Sequence, residues 1–477
     1  MRDEVVCTQS STHCQWYGSF KFPDTSRLEV RPMAEILPFR ALHYDPRKIP
    51  GLGAVVTQPY DKISPEMQAR YYDLSPYNLA RIIRGRTLPE DGPANNVYVR
   101  AARDFQAWIQ SGVLVSEREP AIYPYHQEYE VPGQHGVRKE RRGFIALLRL
   151  EDYSARVVHR HEETLSGPKA DRLELLKATR AHYGQIFMLY SDPAGAIESL
   201  LTAPAAEQPW EQVTDEYGTR HTVWRTADPK IIAGVTSAMS DKRLVIADGH
   251  HRYETALAYR HYCRETGRED GRAEFVMMTF VRMETDGLTI LPTHRMVHGL
   301  AHFDWAKFAG EARAIFDWED FTVTGSASEW SERFLDRLTA AGRERPAMGA
   351  CAGPGKLALL RLRADFDLDG ALPDVAPTLR RLDVVLLHRL VLERLLSISV
   401  QAVREEKNLS YFREMSLACE GVEKGRGQVA FLLNPTPVEA VYRNALADCP
   451  MPQKSTDFYP KLLSGLTIYW LDNPEGI

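Results

Sequence analysis

The pattern of apolar and polar positions changes sharply near residue 248. An apolar run at residues 244–247 predicts a short buried strand. From His250 onward, apolar residues recur at helical spacing, which predicts an amphipathic helix. Asp248 and Gly249 stand between the two segments and predict a tight turn. This order of strand, turn and helix places two histidines and an arginine in the first turn of a helix.

The same periodicity predicts the surrounding elements. Helices are predicted at residues 97–109, 167–180 and 438–446, and strands at 122–129, 142–150, 186–190, 274–281, 428–433 and 467–471. Residues 304–362 predict a helix, a strand, a second helix and two further strands. Residues 379–396 are apolar on nearly every helical face, which predicts one long buried helix.

These elements predict an α+β protein of two to three domains, as expected for 477 residues. We assign residues 35–300 to a core that contains the candidate site. Residues 301–477 are assigned to a C-terminal region of mixed α/β structure that packs on this core. Residues 1–34 lack periodicity and are assigned to a disordered N-terminal extension, either an artefact of an upstream start with Met33 as the natural start, or a genuine flexible arm.

Composition narrows the function classes. The formal net charge of -5 gives no general case for nucleic-acid binding, so a nucleic-acid partner is not expected. No run of about 18 apolar residues is present, so no membrane span is expected. The six cysteines are scattered without a Cys-x-x-Cys pair, which favours neither a disulfide framework nor a zinc site. Without a signal peptide, the expected location is the cytoplasm.

The first turn of the predicted helix is the strongest candidate for chemistry. Free backbone N–H groups and the positive end of the helix dipole favour an anion there. Gly249 permits positive φ or a close backbone approach, and Arg252 has the fork geometry that binds phosphate or carboxylate. Asp248 is a candidate cation ligand or base. His250 and His251 are candidates for phosphate binding or for proton transfer near neutral pH.

Two further stretches carry suitable side chains. His161 and Glu162 lie in a loop rich in His, Arg and Glu, which is compatible with acid–base chemistry, with a divalent ion, or with a solvated surface loop. Lys454, Ser455 and Thr456 combine an ammonium with two hydroxyls, a set that suits phosphate. The glycines of a P-loop are missing before Lys454. Whether this C-terminal loop reaches the central motif is open.

Several motifs together resemble one known family, the domain-of-unknown-function family 1015. They are Pro38-Phe39, Gln58-Pro-Tyr-Asp61, Pro76-Tyr-Asn78, His161-Glu162, Asp171-Arg172, Ala247-Asp-Gly-His-His-Arg-Tyr-Glu-Thr-Ala256, Pro292-Thr-His-Arg295 and Met451-Pro-Gln-Lys-Ser-Thr456. The resemblance extends from about Glu35 to the C-terminus. The chain departs from the family in its N-terminal extension and in Gln58, where a second proline is expected.

The central motif also resembles the phosphate-gripping motif of the ParB/sulfiredoxin superfamily, which includes free-serine kinases with an Asp-Gly-His type motif. This resemblance implies a ParB/sulfiredoxin-like core with a nucleotide phosphate at the start of the helix. Sulfiredoxin needs a motif cysteine, and a histidine occupies that position here, so sulfinic acid reduction is not expected. ParB also needs a DNA-binding helix-turn-helix, which the sequence does not place.

We therefore expect a protein that binds a nucleotide or a phosphorylated small molecule, with ATP or ADP and Mg²⁺ as cofactors. It would transfer or hydrolyse a phosphoryl group, as a serine kinase or a phosphoserine phosphatase does. The expected catalytic residues are Asp248, His250, Glu162 and His161, and the expected phosphate-binding residues are Gly249, His251, Arg252, Lys454, Ser455 and Thr456. The alternative is a non-catalytic nucleotide-binding regulator that associates with DNA as ParB does. Neither the metal nor the oligomeric state follows from the sequence.

Overall fold

The computed structural model describes residues 34–476, apart from residues 135, 164–166, 269–270 and 325–326. The extension predicted at residues 1–34 therefore lies outside the described residues, except for its last position. Thr164, at the end of the His-Arg-Glu loop, also lies outside them.

The strands alternate with helices along the described chain. The strands are β1 (Ile36–Leu37), β2 (Leu42–Tyr44), β3 (Leu114–Ser116), β4 (Tyr123–Glu130), β5 (Arg138–Arg149), β6 (Val158–Arg160), β7 (Ala181–His182), β8 (Ile186–Tyr190), β9 (Glu211–Thr214), β10 (Arg220–Val223), β11 (Leu244–Asp248), β12 (Phe275–Arg282), β13 (Thr289–Leu291), β14 (His294–Val297), β15 (Phe316–Phe321), β16 (Ala347–Cys351), β17 (Leu357–Leu362), β18 (Leu409–Phe412), β19 (Val429–Leu433), β20 (Asp457–Tyr459) and β21 (Tyr469–Trp470).

The α-helices follow the same order. They are α1 (Pro65–Leu74), α2 (Ala80–Ile83), α3 (Val97–Gln110), α4 (Gly167–Thr179), α5 (Ala196–Thr202), α6 (Pro229–Met239), α7 (His250–Glu265), α8 (Trp305–Ala312), α9 (Ala327–Glu344), α10 (Leu368–Ala371), α11 (Asp383–Leu386), α12 (Val400–Arg404), α13 (Met415–Glu423) and α14 (Val438–Leu446). This mixture of helices and strands confirms the mixed α and β content that the periodicity predicts.

A mixed nine-stranded sheet holds the central motif. Its order is β6-β11-β8-β12-β5-β4-β10-β9, with β1 also paired to β5. Strand β11 runs parallel to β6 and antiparallel to β8. Residues 244–247 are buried, as expected for an apolar strand inside a sheet. The burial of β11 fixes the position of Asp248 at its end.

A second sheet, in which every pair of neighbouring strands is antiparallel, lies later in the chain, with the order β15-β17-β16-β19-β14-β18. Residues 304–362 form α8, β15, α9, β16 and β17, in the predicted order. The boundary near residue 300 stays a prediction. One relevant observation is that β14, which precedes residue 300, pairs with β18 and β19 of the second sheet.

The C-terminal segment returns to the first part of the chain. Strand β20 pairs with β13, and β21 pairs with β7. Glu162 and Met451 form a parallel bridge, and the Met451 N–H donates to the His161 carbonyl at 2.8 Å. The C-terminal loop therefore lies against the end of β6, which answers the question that the sequence left open.

The long helix predicted at residues 379–396 is wrong in its form. The helix begins only at Asp383, whose carboxyl group accepts hydrogen bonds from the Ala347 N–H and from Asn434 Nδ2, at 3.1 and 3.2 Å. From Leu387 to Leu395 the chain is a π-helix. Apolar periodicity predicts burial but does not distinguish i→i+4 from i→i+5 hydrogen bonding.

Within the described part of the chain, the helices are too short or too polar to cross a lipid bilayer.

Candidate functional site

The turn between β11 and α7 opens into a cavity of about 360 Å³. Gly249 has a φ of 93°, in the left-handed region that favours glycine. A Cβ atom there would lie 2.9 Å from Arg252 Nε, so the glycine also makes room for the guanidinium. The first backbone hydrogen bond of α7 runs from the Tyr253 N–H to the Gly249 carbonyl. Residues 249–252 line the cavity, which therefore receives the positive end of the helix dipole.

Asp248 lies between two cations. Arg252 Nη2 donates to Asp248 Oδ2 at 2.8 Å, and Lys461 Nζ donates to Oδ1 at 3.3 Å. Arg252 also donates from Nη1 to the carbonyl of Gln185. Burial by itself raises the pKa of Asp248, but the charges of Lys461, Arg252 and Lys62 outweigh burial and lower this pKa below its usual range. Asp248 is thus an ion-paired carboxylate and not a proton acceptor near neutral pH.

Lys461 joins Asp248 to a second buried carboxylate. Its Nζ lies 3.0 Å from Asp457 Oδ1, and Arg413 Nη2 donates to the same oxygen at 3.1 Å. Only 8% of the Lys461 side chain is exposed. Burial lowers the pKa of Lys461, but Asp248 and Asp457 more than offset this and raise it above its usual range. The wall of the cavity therefore carries an alternating row of charges from Arg252 to Arg413.

Three residues of this row, Lys461, Asp457 and Arg413, were not predicted for the site from the sequence. One sequence signal for Lys461 was present, because it stands between the apolar pairs Phe458-Tyr459 and Leu462-Leu463. A buried lysine requires a charged partner. Arg413 carries no comparable signal, because its partner Asp457 is 44 residues away in the chain.

A hydrogen-bonded chain joins His161, Thr456 and Glu162. The Nδ1 atom of the buried His161 contacts the Ile246 carbonyl, which only accepts, so Nδ1 carries a proton. Its Nε2 lies 2.7 Å from Thr456 Oγ1. The hydroxyl and the backbone N–H of Thr456 both donate to Glu162 Oε1 at 2.9 Å. The Thr456 hydroxyl thus links the His161 ring to the Glu162 carboxylate.

Glu162 is the carboxylate at the end of this chain of hydrogen bonds, and it lines the cavity. Burial by itself raises its pKa. The hydrogen bond and charge of His161, together with the hydrogen bond of Thr456, outweigh burial and lower the pKa to about 2. Glu162 is therefore ionised across the physiological range.

His250 and His251 contribute neutral rings. His250 Nε2 accepts the His161 backbone N–H at 3.4 Å, and the two rings lie 4.7 Å apart between centroids. Burial and then His161 lower the pKa of His250 to about 3, which is too low for proton transfer near neutral pH. Burial also lowers the pKa of His251. Its Nε2 atom is buried and has no hydrogen-bond partner in the described residues.

Two lysines of the cavity wall, Lys62 and Lys454, make no ion pair within the described part of the chain. Lys454 is exposed, and its carbonyl accepts from Nη2 of the buried Arg295 at 2.8 Å, which anchors the loop. The hydroxyl of Tyr411, also in the lining, is buried without a partner among the described residues. Because buried polar groups are normally hydrogen-bonded, this hydroxyl and His251 Nε2 indicate a place for a ligand or water.

Most of the residues predicted for the site meet in this cavity. Those that line it are Glu162, Asp248, Gly249, His250, His251, Arg252, Lys454 and Thr456. His161 lies behind Glu162 and Thr456. Ser455 does not reach the lining, because its buried hydroxyl donates to the Pro452 carbonyl at 2.5 Å. In the described residues, no three His, Cys, Asp or Glu side chains cluster as a metal site would require.

A comparison with known families matches residues 36–385 to the family described as "Protein of unknown function (DUF1015)". The chain belongs to the DUF1015 family. This confirms the family resemblance, and the match includes both β11 and α7. Met451–Thr456, which also resembles the family, lies beyond the matched residues. No curated protein matches the chain.

Solved structures give weaker similarities. A conserved hypothetical protein from Pyrococcus furiosus has 11% identity and a TM-score of 0.33, over 69% of this chain and 96% of that one. A free serine kinase mutant in complex with AMP has 11% identity and a TM-score of 0.34, over 68% and 92% of the two chains. SbnI from Staphylococcus aureus, with a C-terminal truncation, has 11% identity and a TM-score of 0.32, over 68% and 87%. TM-scores this low do not establish a common fold.

Proposed function

We propose that this DUF1015 protein binds a nucleotide or a phosphorylated small molecule in the cavity and transfers or hydrolyses its phosphoryl group. The observation that carries the proposal is the start of α7 at Gly249, which faces the same cavity as Lys62 and Lys454. Backbone N–H groups at a helix start bind phosphate, and lysines without ion pairs add positive charge. His251 Nε2 adds one hydrogen bond from a neutral ring. A ParB/sulfiredoxin-like arrangement of β11 and α7 forms part of this proposal.

Two carboxylates take different roles in the proposal. Both oxygens of Asp248 are in ion pairs, so Asp248 holds Arg252 and Lys461 in place. Glu162 faces the cavity as a carboxylate and is the group that we assign to orient the acceptor hydroxyl or water. Phosphoryl transfer depends mainly on position and charge, so a weakly basic carboxylate suits this role.

Mg²⁺ keeps several of its waters and takes one or two carboxylates together with phosphate oxygens. Asp61 is the lining carboxylate that we assign to a Mg²⁺ ion entering with a nucleotide. Such an ion would supply charge neutralisation on the phosphates. The acceptor is part of the proposal as well: free serine, or phosphoserine in the hydrolytic direction.

The test uses the full chain with Mg²⁺ and either ATP or ADP plus serine, or phosphoserine alone, followed by ³¹P NMR. Calorimetry measures nucleotide affinity in parallel. We expect turnover in the wild type and its loss in Glu162→Gln. We expect roughly tenfold weaker nucleotide binding in Lys454→Ala, because one charge-assisted contact is lost. Lys307→Ala, an exposed lysine on α8, is the matched control and should behave as the wild type.

Each result has a defined meaning. Nucleotide binding without turnover of any of these substrates would replace the enzyme proposal with the non-catalytic regulator. Absence of binding for nucleotides, phosphoserine and inorganic phosphate would overturn the phosphate site itself. Equal weakening in Lys454→Ala and Lys307→Ala would show that only bulk charge matters.

A further inference from the structure

A second cavity of about 290 Å³ lies on the other side of the C-terminal loop. It is enclosed by the turn before α11, the π-helix Leu387–Leu395, α12 and the loop at Pro450–Gln453. Its walls are mainly apolar, with side chains from Val375, Leu379, Val385, Ile398, Val400 and Val403. A volume of this size is near the lower end for small-molecule sites.

Two buried polar atoms in the lining, His388 Nε2 and Glu393 Oε2, make no hydrogen bond within the described residues, but Glu393 Oε2 lies 2.9 Å from Arg389 Nε in an ion pair. Burial, followed by the charge of Arg295, lowers the pKa of His388 to about 3, so the ring is neutral. A buried ring nitrogen without a partner loses the hydrogen bond that water would supply. The cavity therefore offers a ligand one hydrogen bond, to His388 Nε2, between mainly apolar walls.

The charged groups at its rim are already paired. Arg404 Nη2 lies 2.7 Å from Glu163 Oε2, and Arg389 Nη2 lies 2.7 Å from Asp374 Oδ2. The second cavity thus differs from the cavity at the start of α7, called the phosphate cavity below, where Lys62 and Lys454 make no ion pair with the residues that the structure describes. Its chemistry suits a neutral ligand and not an anion.

The π-helix supplies an independent reason to assign function here. The Leu396 N–H donates to the Val391 carbonyl at 2.9 Å, an i→i+5 bond. Three residues of the π-helix, His388, Arg389 and Glu393, line the cavity. π-Helical turns are rare and are found frequently at functional sites. The π-helix therefore supplies the part of the lining that contains His388, whose Nε2 has no hydrogen-bond partner among the described residues.

The two cavities share part of their walls. Gln453 and Glu163 line both of them, and Gln453 directly precedes Lys454 of the phosphate cavity. We propose that the second cavity binds a small, uncharged, mainly apolar molecule that hydrogen-bonds to His388, and that its occupancy changes ligand affinity in the phosphate cavity through Gln453. The regulatory half of this inference rests on the proposed function, whereas the binding half does not.

The test uses phenol and toluene as probes, since they differ by one hydroxyl, and measures binding by ligand-observed NMR titration of the full chain. We expect saturable binding at one site, with phenol about fivefold tighter than toluene because of one hydrogen bond. His388→Leu should bind toluene but lose the preference for phenol. Ala376→Phe should fill the cavity and block both probes. Ala340→Phe, at an exposed position on α9, is the matched control.

The binding half is overturned if the wild type shows no saturable phenol site, or if His388→Leu keeps the preference for phenol. The phenol preference of His388→Leu decides the binding half even if Ala376→Phe fails to fold. For the regulatory half, ADP affinity is measured with and without saturating phenol. We expect a change of at least about threefold in the wild type and none in Ala376→Phe. Absence of ADP binding with intact phenol binding would count against the proposed function alone, and unchanged ADP affinity would overturn the regulation.

Discussion

Thr456 and Glu162 are 294 residues apart in the chain, yet both the backbone N–H and the hydroxyl of Thr456 donate to Glu162 Oε1 at 2.9 Å. His161 contacts the same hydroxyl from the other side at 2.7 Å. This relationship places the C-terminal loop at the central motif and holds Glu162 as a carboxylate at the cavity wall.

Thr456→Val tests this relationship, because it keeps the side-chain shape and removes the hydroxyl. We expect the free energy of unfolding to fall by about 1–3 kcal/mol, since His161 Nε2 loses its partner in a buried position. Thr456→Ser retains a hydroxyl and should lose less than Thr456→Val. Urea unfolding of the three proteins measures both effects. Equal stability of the wild type and the valine variant would contradict the hydrogen-bonded chain.

Glu162→Gln should change the acid dependence of stability. The folded-state pKa of Glu162 is lowered from 4.5 to about 2, so its carboxylate stabilises the fold above pH 4.5, and this contribution is lost as the pH falls towards 2. The wild type should therefore exceed Glu162→Gln in stability at pH 6, by on the order of 2–3 kcal/mol, and the gap should close towards pH 2. Urea unfolding from pH 2 to 6 measures the gap. A gap that is constant with pH would refute the assignment, and Glu90→Gln, at an exposed position, controls for loss of charge.

Lys461→Met removes the ammonium between Asp248 and Asp457. Two carboxylates then remain without their shared cation, which should cost about 3–5 kcal/mol at pH 7. Their pKa values should rise, so protonation at lower pH should reduce this cost, and the loss at pH 4 should be smaller than at pH 7. Lys424→Met breaks an exposed ion pair with Glu420 and should cost much less than Lys461→Met, because solvent screens the exposed pair. A pH-independent loss in Lys461→Met would count against the charge row.

Gly249→Ala should strain the backbone and should also displace Arg252. A second substitution, Gly267→Ala, separates the two effects. Both Gly249 and Gly267 have positive φ, but only at Gly249 would a Cβ atom contact Arg252. Gly267→Ala should therefore cost about 1–2 kcal/mol from backbone strain alone. Gly249→Ala should cost more and should also weaken nucleotide binding, because Arg252 has to leave Asp248. Thermal unfolding and ADP titration measure the two effects, and identical behaviour of the two variants would show that Arg252 does not depend on Gly249.

The local sequence was sufficient to predict the strand and the helix that hold Asp248 and Arg252. The apolar run at residues 244–247 and the helical spacing after His250 predicted β11 and α7, because periodicity reflects which face is buried. Asp248 and Gly249 predicted a tight turn, in which the glycine permits either positive φ or a close backbone approach. The motif residues Asp248 to Arg252 were found in the same way, since neighbours in sequence are neighbours in the turn.

Local sequence was insufficient where a partner comes from far along the chain. Lys454 and Thr456 were identified as candidates by residue type, but their place in the cavity that Glu162 lines depends on the bridge between Met451 and Glu162. Ser455 was predicted for the same reason, yet its hydroxyl is used within the loop. Side-chain direction in an irregular loop has no fixed period, so residue type alone does not predict which hydroxyl faces the cavity.

The sequence by itself determined the family, the strand–turn–helix at Asp248 and the chemical types available there. Only the tertiary structure decided which polar groups are paired and which are neutral: Arg252 and Lys461 are held by Asp248, His250 is kept neutral by burial, and His388 Nε2 has no hydrogen-bond partner within the described part of the chain. The physical reason is that desolvation and charge pairing depend on distances of a few ångströms in space, and these distances are set by contacts between segments that the chain separates by hundreds of residues.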